Sequence, residues 1–254
     1  MRYSTDFLNE KVIVITGGSA GIGLAAARLF AEQGAHVLVT GRRAAPLEAL
    51  TANGGRIAAL VADATSADDA ERTIGRAITL WGRLDVLVNN AGAGAIMPLR
   101  EATAERITDV LAGNVLGPSL HARAALPHLT VTKGAIINVS SALGQRATAG
   151  LSHYAASKAA LEHLTRCWAL ELAPRRIRVN AVAPGPTETG ALTGMMGLSE
   201  QEAMAVRDSE RLRVPLQRRG DPEEVARWIM LLAEPASCWV TGQVITVDGG
   251  LALA

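Results

Sequence analysis

Tyr154-Ala155-Ala156-Ser157-Lys158 sets a phenol and an ammonium at i and i+4, stacked on one face of a helix. A phenol that ionises near its ordinary value of about 10 is a poor base at neutral pH. A close ammonium stabilises the phenolate and draws that ionisation toward the working range, which makes the pair a candidate proton-transfer device. An amphipathic helix start with a lysine snorkelling to solvent would use the same residues. Composition favours the chemical reading. Tyr3 and Tyr154 are the only tyrosines, and Lys11, Lys133 and Lys158 are the only lysines among 25 basic residues. A chain so biased toward Arg has little reason to place Lys at an arbitrary surface position.

A second candidate site is Thr16-Gly17-Gly18-Ser19-Ala20-Gly21-Ile22-Gly23, which follows an apolar run and opens a helical pattern. Glycines there let the backbone turn sharply and let a pyrophosphate approach bare N–H groups, while the helix N-terminus adds favourable partial charge. The spacing is TGxxxGxG, and a plain strand–helix turn is the alternative. The second strand ends Val39-Thr40-Gly41-Arg42-Arg43, with no carboxylate between Gly34 and Leu47. Gly41 stands where a ribose-binding acid would be, and the guanidiniums of Arg42 and Arg43 could fork onto a 2′-phosphate. A solvated basic turn is the other reading. NADP(H) is favoured over NAD(H), which remains possible.

Such groups need a scaffold, and the hydrophobic pattern supplies one. Apolar runs at Val12–Thr16, His36–Thr40, Ile57–Val61, Leu84–Asn89, Ala135–Ser140, Arg178–Val182 and Val244–Val247 read as strands covered on both faces. Helical patterns fall between them at Ile22–Gln33, Ala67–Trp81, Ala104–Leu126, Tyr154–Leu172 and Pro222–Ala233, the last with Asp221 as its N-cap. The alternation predicts an α/β fold: a Rossmann-type, doubly wound parallel sheet of about seven strands with helices on both faces. A length of 254 residues suits one domain spanning 1–254. The irregular stretch 185–220 is too long for an ordinary connection and is expected to be a substrate lid with its own short helices.

Composition excludes other classes. A formal charge of +1 offers no case for nucleic acid or an anionic membrane surface. No apolar run approaches a membrane span, and the N-terminal MRYSTDFLNEK lacks a signal core, so a cytoplasmic location is expected. Cys167 and Cys238 lie far apart, and the five histidines are scattered, so neither a disulfide framework nor a metal site is expected.

In order along the chain stand TGxxxGxG at Thr16–Gly23, Asn89-Asn90-Ala91-Gly92, Asn114, Ser140-Ser141, YxxxK at Tyr154–Lys158, and Pro184-Gly185. Together these resemble the core branch of the short-chain dehydrogenase/reductase family over nearly the whole chain. The resemblance implies that Ser141, 13 positions before Tyr154, hydrogen-bonds the substrate oxygen, with Ser140 off that spacing by one. It implies that Tyr154 exchanges the proton, that Lys158 tunes the phenol and holds the nicotinamide ribose, and that Asn114 holds a relay water. Cofactor contacts are implied for Gly17, Ser19, Ala20, Gly21, Ile22, Gly23, Arg42, Arg43, Asp63, Ala64, Asn90, Ala91, Gly92, Pro184 and Gly185. Asp63 would meet the adenine edge and Asn90 the adenosine side, and Thr187 and Thr189 would secure the carboxamide. Many NADP-preferring relatives carry a basic residue where Ala20 stands, so the 2′-phosphate expectation rests on Arg42, alone or with Arg43.

The implied reaction is hydride transfer between NADP(H) and a ketone or secondary alcohol. An NAD-dependent alcohol dehydrogenase is the alternative, and an inactive dinucleotide sensor or scaffold the remote one. A double-bond reductase fits less well, because relatives with that activity space Tyr and Lys more widely. Pocket walls are expected from 93–99, 143–150 and the lid methionines Met195 and Met196, with Gln145, Arg146 and His153 as polar markers. The family's usual assembly, together with the apolar surface of Tyr154–Leu172 and of the C-terminal segment, implies a homotetramer, with a dimer as the alternative.

Overall fold

The computed structural model describes residues 8–52 and 54–254. Tyr3 and residues 1–7 of the stretch read for a leader lie outside them. The strands are β1 (Val12–Ile15), β2 (His36–Gly41), β3 (Ile57–Val61), β4 (Val86–Asn89), β5 (Ala135–Val139), β6 (Arg178–Pro184) and β7 (Val244–Val247). The helices are α1 (Gly21–Glu32), α2 (Ala44–Thr51), α3 (Ala67–Trp81), α4 (Ala104–Leu111), α5 (Gly117–Thr132), α6 (Ser152–Leu172), α7 (Ala191–Gly194), α8 (Glu200–Arg213) and α9 (Pro222–Ala233).

All seven strands form one parallel sheet in the order β3-β2-β1-β4-β5-β6-β7. Alternating side chains of β1 serve two cores. Ile13 and Ile15 pack with Phe30 of α1 and Ile229 of α9, while Val12 and Val14 pack with Ile74 of α3, Leu129 of α5 and Leu172 of α6. Burial on both faces explains why the strands read as unbroken apolar runs. The order reverses between β1 and β4, which opens a crevice at the C-terminal ends of the strands. The segments carrying the candidate chemistry all leave the sheet at that edge.

Polar side chains inside the sheet fix its register against α6. Asn89 donates to Asn138 at 2.9 Å, and Asn138 donates to Thr165 of α6 at 2.9 Å. Each group satisfies the next, so burial carries no unpaired amide nitrogen there.

The structure departs from the sequence reading at two places, both helical. The single helix expected over Ala104–Leu126 is α4 and α5 joined by a π turn at Ala112–Leu116. It also runs through Pro127 to Thr132. Pro127 is exposed, so water can satisfy the carbonyl left without a partner one turn earlier. Helix α2 was absent from the reading because Pro46 and a short apolar pattern disguise it. The segment 185–220 carries α7 and α8, the latter begun by a capping box between Ser199 and Glu202.

Candidate active site

The loop after β1 is shaped to receive an anion. Gly17 takes φ of +67°, a left-handed conformation that side chains resist. A Cβ on Gly23 would fall 2.4 Å from the Asn90 amide nitrogen, so the close approach of helix and β4 loop requires glycine. Ala20 precedes α1 and offers no side-chain cap, and the first turn has no acid. The N–H groups of Gly21, Ile22 and Gly23 therefore meet no capping side chain, and the positive end of the helix is not neutralised. Asn90 stands behind this loop, donating to the carbonyls of Thr16 and Gly17 at 2.9 Å each. Thr16 Oγ1 accepts from the backbone N–H groups of Asn90 and Ala91, tying the two loops together.

At the end of β2, Gly41 lies beside the Ser19 hydroxyl, and Arg42 and Arg43 are exposed. Asp63 accepts from the N–H and hydroxyl of Thr65, which hold its carboxyl below the usual range, with Arg42 adding to the effect. The cap of α3 is Ser66, which leaves Asp63 free of that structural duty. Ala64 turns its carbonyl toward Gly117 at the start of α5.

The proton-transfer groups converge where β5 and α6 meet. Ser141, two residues past the end of β5, lies next to Tyr154: burial pushes the Tyr154 phenol above its ordinary value, and the Ser141 hydroxyl opposes the shift. The sequence predicts an ammonium-lowered phenol; burial raises it instead, and the group that opposes the rise is Ser141. Lys158 Nζ lies 5.9 Å from the Tyr154 ring centre and donates to the Val139 carbonyl at 2.9 Å. Burial draws the Lys158 ammonium down to about 8, although Glu162 opposes that fall.

Asn114 sits within the π turn, fully buried. Such a turn is found mainly where function needs a displaced residue. Asn114 exchanges hydrogen bonds with the backbone of Ala93 and donates to Ser157 at 2.9 Å. Its carbonyl oxygen and Lys158 Nζ both approach Gly92, at 2.7 and 3.3 Å from where a Cβ would stand.

The two adjacent serines part company. Ser140 turns away from Tyr154 to donate to Glu162 at 2.9 Å. Two residues read as pocket markers are engaged elsewhere: Gln145 bonds Glu162 and accepts from Thr246, and Arg146 donates to the Leu251 carbonyl. His153 lies beside Ser152 at the start of α6.

Past Pro184, the N–H of Gly185 is taken by Val247 and the Thr187 hydroxyl donates back to Gly185. Thr189 rests against Gly21 of the phosphate loop, and Met195 and Met196 press on Gly94 across the crevice. Arg219 was not singled out from sequence. It is buried, donates to the Thr187 carbonyl at 2.5 Å, and pairs with Glu188 and with Glu210 of α8, so it anchors the strip carrying Thr187 and Thr189. Among the described residues, no cluster of three or more His, Cys, Asp or Glu side chains is arranged for a metal, and no helix is long and apolar enough to cross a membrane.

The family profile described as enoyl-(acyl carrier protein) reductase matches residues 17–252. The chain is 39% identical over 251 residues to a 3-oxoacyl-(acyl-carrier-protein) reductase of Thermotoga maritima, covering 97% of this chain and 99% of that protein. The chain belongs to the short-chain dehydrogenase/reductase family. Human dehydrogenase/reductase SDR family member 4 is 34% identical over 254 residues, with 96% of this chain and 88% of that protein covered. Among solved structures, a 3-ketoacyl-(acyl-carrier-protein) reductase from Brucella melitensis complexed with NADH superposes with a TM-score of 0.89 at 31% identity. That match covers 96% of this chain and 99% of the other. This member of the family is thus an oxidoreductase on a Rossmann-like sheet.

Proposed function

We propose that this oxidoreductase reduces a medium-sized ketone, or a 3-oxoacyl thioester, to the secondary alcohol with NADPH. The observation that carries this reading is the meeting of Ser141, Tyr154 and Lys158 at the crevice edge, beside an uncapped, glycine-lined helix N-terminus. The loop 16–23 would hold the pyrophosphate, Arg42 and Arg43 the 2′-phosphate, Asp63, Ala64 and Asn90 the adenosine side, and Ala91, Gly92, Lys158 and Thr187–Thr189 the nicotinamide side. When bound, the dihydronicotinamide supplies the hydride.

The chain's own work is proton management and orientation. The Ser141 hydroxyl donates to the carbonyl oxygen and fixes its position. The buried Tyr154 phenol stays protonated at neutral pH and delivers its proton to that oxygen as negative charge develops. The Lys158 ammonium, held by Val139, offsets the phenolate left behind. Asn114, beside Gly92, would hold the water that carries the returning proton toward Lys158. The 185–220 segment acts as the lid, with Met195 and Met196 as its deformable apolar contacts. One turn between Tyr154 and Lys158 supports carbonyl over double-bond reduction. A panel of ketones, 3-oxoacyl thioesters and enoyl thioesters, run with NADPH and with NADH, tests this. Turnover of enoyl thioesters alone would overturn it.

We further propose a cytoplasmic homotetramer. Leu111, Leu116, Val131 and Leu170 leave apolar surface exposed along α4 to α6. At the other end, β7 is a sheet edge, flanked by partly exposed Trp228 and Leu231 and by Trp239, which is 97% exposed. Two two-fold contacts would cover both patches. Light scattering at low micromolar concentration should give four times the 26.5 kDa chain mass. A fully active species of one chain's mass would refute the assembly.

A further inference from the structure

Helix α6 carries a third buried polar group in line with the acid/base pair. Tyr154, Lys158 and Glu162 stand at i, i+4 and i+8, so one face bears phenol, ammonium and carboxylate in succession. Glu162 is 3% exposed, and among the described residues no cation lies within ion-pair distance of it. A carboxylate so placed is costly unless its surroundings compensate.

Its surroundings offset part of that cost, although burial still leaves the Glu162 carboxyl above its ordinary value. Ser140 donates to it at 2.9 Å, and the Gln145 amide reaches both its oxygens at 3.4 and 3.5 Å. Gln145 in turn accepts from Thr246 of β7 at 3.2 Å. A Cβ on Gly144 would fall 2.6 Å from Glu162 Oε1, so the turn following Ser141 is fitted around this oxygen. The Ser140 hydroxyl also lies 3.3 Å from the Lys158 carbonyl. One carboxylate therefore joins the turn after Ser141, the last strand and the helix that carries Tyr154 and Lys158.

We propose that Glu162 is a positioning residue for the acid/base pair, holding the Ser140–Gln145 turn against α6 and supplying the countercharge to the Lys158 ammonium. The inference rests on the reductase reading above. The charged and titratable groups around the pair are Tyr154, Glu162 and Arg166, all on α6. Around them the Val139 carbonyl, Ser140, Gln145 and Asn114 are neutral, and the one cation of the 140s turn, Arg146, is engaged by the Leu251 carbonyl. Burial already draws Lys158 down to about 8 and Glu162 is the group that resists this, so removing its charge lowers Lys158 further.

Only three lysines occur, so ¹³Cε-lysine labelling yields three resonances, and that of Lys158 is the one missing from a Lys158→Met sample. In Glu162→Gln, the Lys158 midpoint is expected to fall by about half a pH unit or more, with the alkaline limb of kcat/KM following it. Glu162→Asp, which keeps the charge, should hold the midpoint near that of the parent. Glu162→Leu fills the space without a buried charge and carries the same expectation as Gln, should the amide variant not fold. A Lys158 midpoint within about 0.2 unit of the parent in the charge-free variants would overturn the proposal, whatever their turnover. The lysine titration needs neither substrate nor cofactor. Carbonyl reduction could therefore fail while this result stands, and the reverse.

Discussion

Tyr154→Phe should lower kcat for carbonyl reduction by about 10³-fold, the range expected when a positioned general acid is lost. The change removes one oxygen from a buried side chain whose hydroxyl meets Ser141, and leaves the ring against Lys158 in place. Among the described residues Ser141 is the side chain found to act on that oxygen, so the dissociation constant for NADPH should stay within about twofold of the parent. Stopped-flow or steady-state turnover, paired with cofactor titration by fluorescence, measures both. A variant keeping more than about a tenth of parental kcat, a loss under about 1.4 kcal/mol, would show that the phenol is not the proton donor. The pH profile adds a sign. Reduction needs the protonated pair, and Lys158 loses its proton at about 8, so kcat/KM should fall as pH rises through that region.

The sequence showed the scaffold and the charged tips of the site better than the supports behind them. Strands β1, β2 and β4 to β6 are legible because their side chains alternate between two apolar cores, leaving continuous runs of Val, Ile and Leu. The Tyr154/Lys158 pair is legible because helical spacing alone dictates which side chains share a face. The π turn at Ala112–Leu116 was hidden, since one extra residue per turn leaves the composition of a helix unchanged. Glu162 was hidden for a different reason. A lone Glu in an amphipathic helix ordinarily faces water, and its burial depends on Ser140, Gln145 and Gly144 arriving from another element. Arg219 was hidden likewise, because its partners Glu188 and Glu210 come from other parts of the irregular 185–220 segment, where no periodic pattern brings them together.

Gly41→Asp combined with Arg42→Ile should invert the cofactor preference that we propose, lowering the NADPH:NADH ratio of kcat/KM by about 10²-fold. Two effects add. Losing a charge-assisted contact to the 2′-phosphate costs about 1.5–3 kcal/mol, and the new carboxylate repels that phosphate while accepting from a free ribose hydroxyl. The backbone permits the change, because Gly41 is not among the glycines with positive φ. Its Cβ would stand 3.1 Å from Ser19 Oγ, so the serine hydroxyl has to turn aside by a few tenths of an ångström. Gly41→Ala alone isolates that crowding and should leave the ratio within about threefold of the parent. Because Arg42 and Arg43 are exposed, their attraction is screened, and the parental preference for NADPH should shrink between low and high salt. A preorganised, buried phosphate site would show little such dependence. Parental kinetics that already favour NADH at low ionic strength would remove the basis of the design and assign Arg42 and Arg43 to a solvated turn.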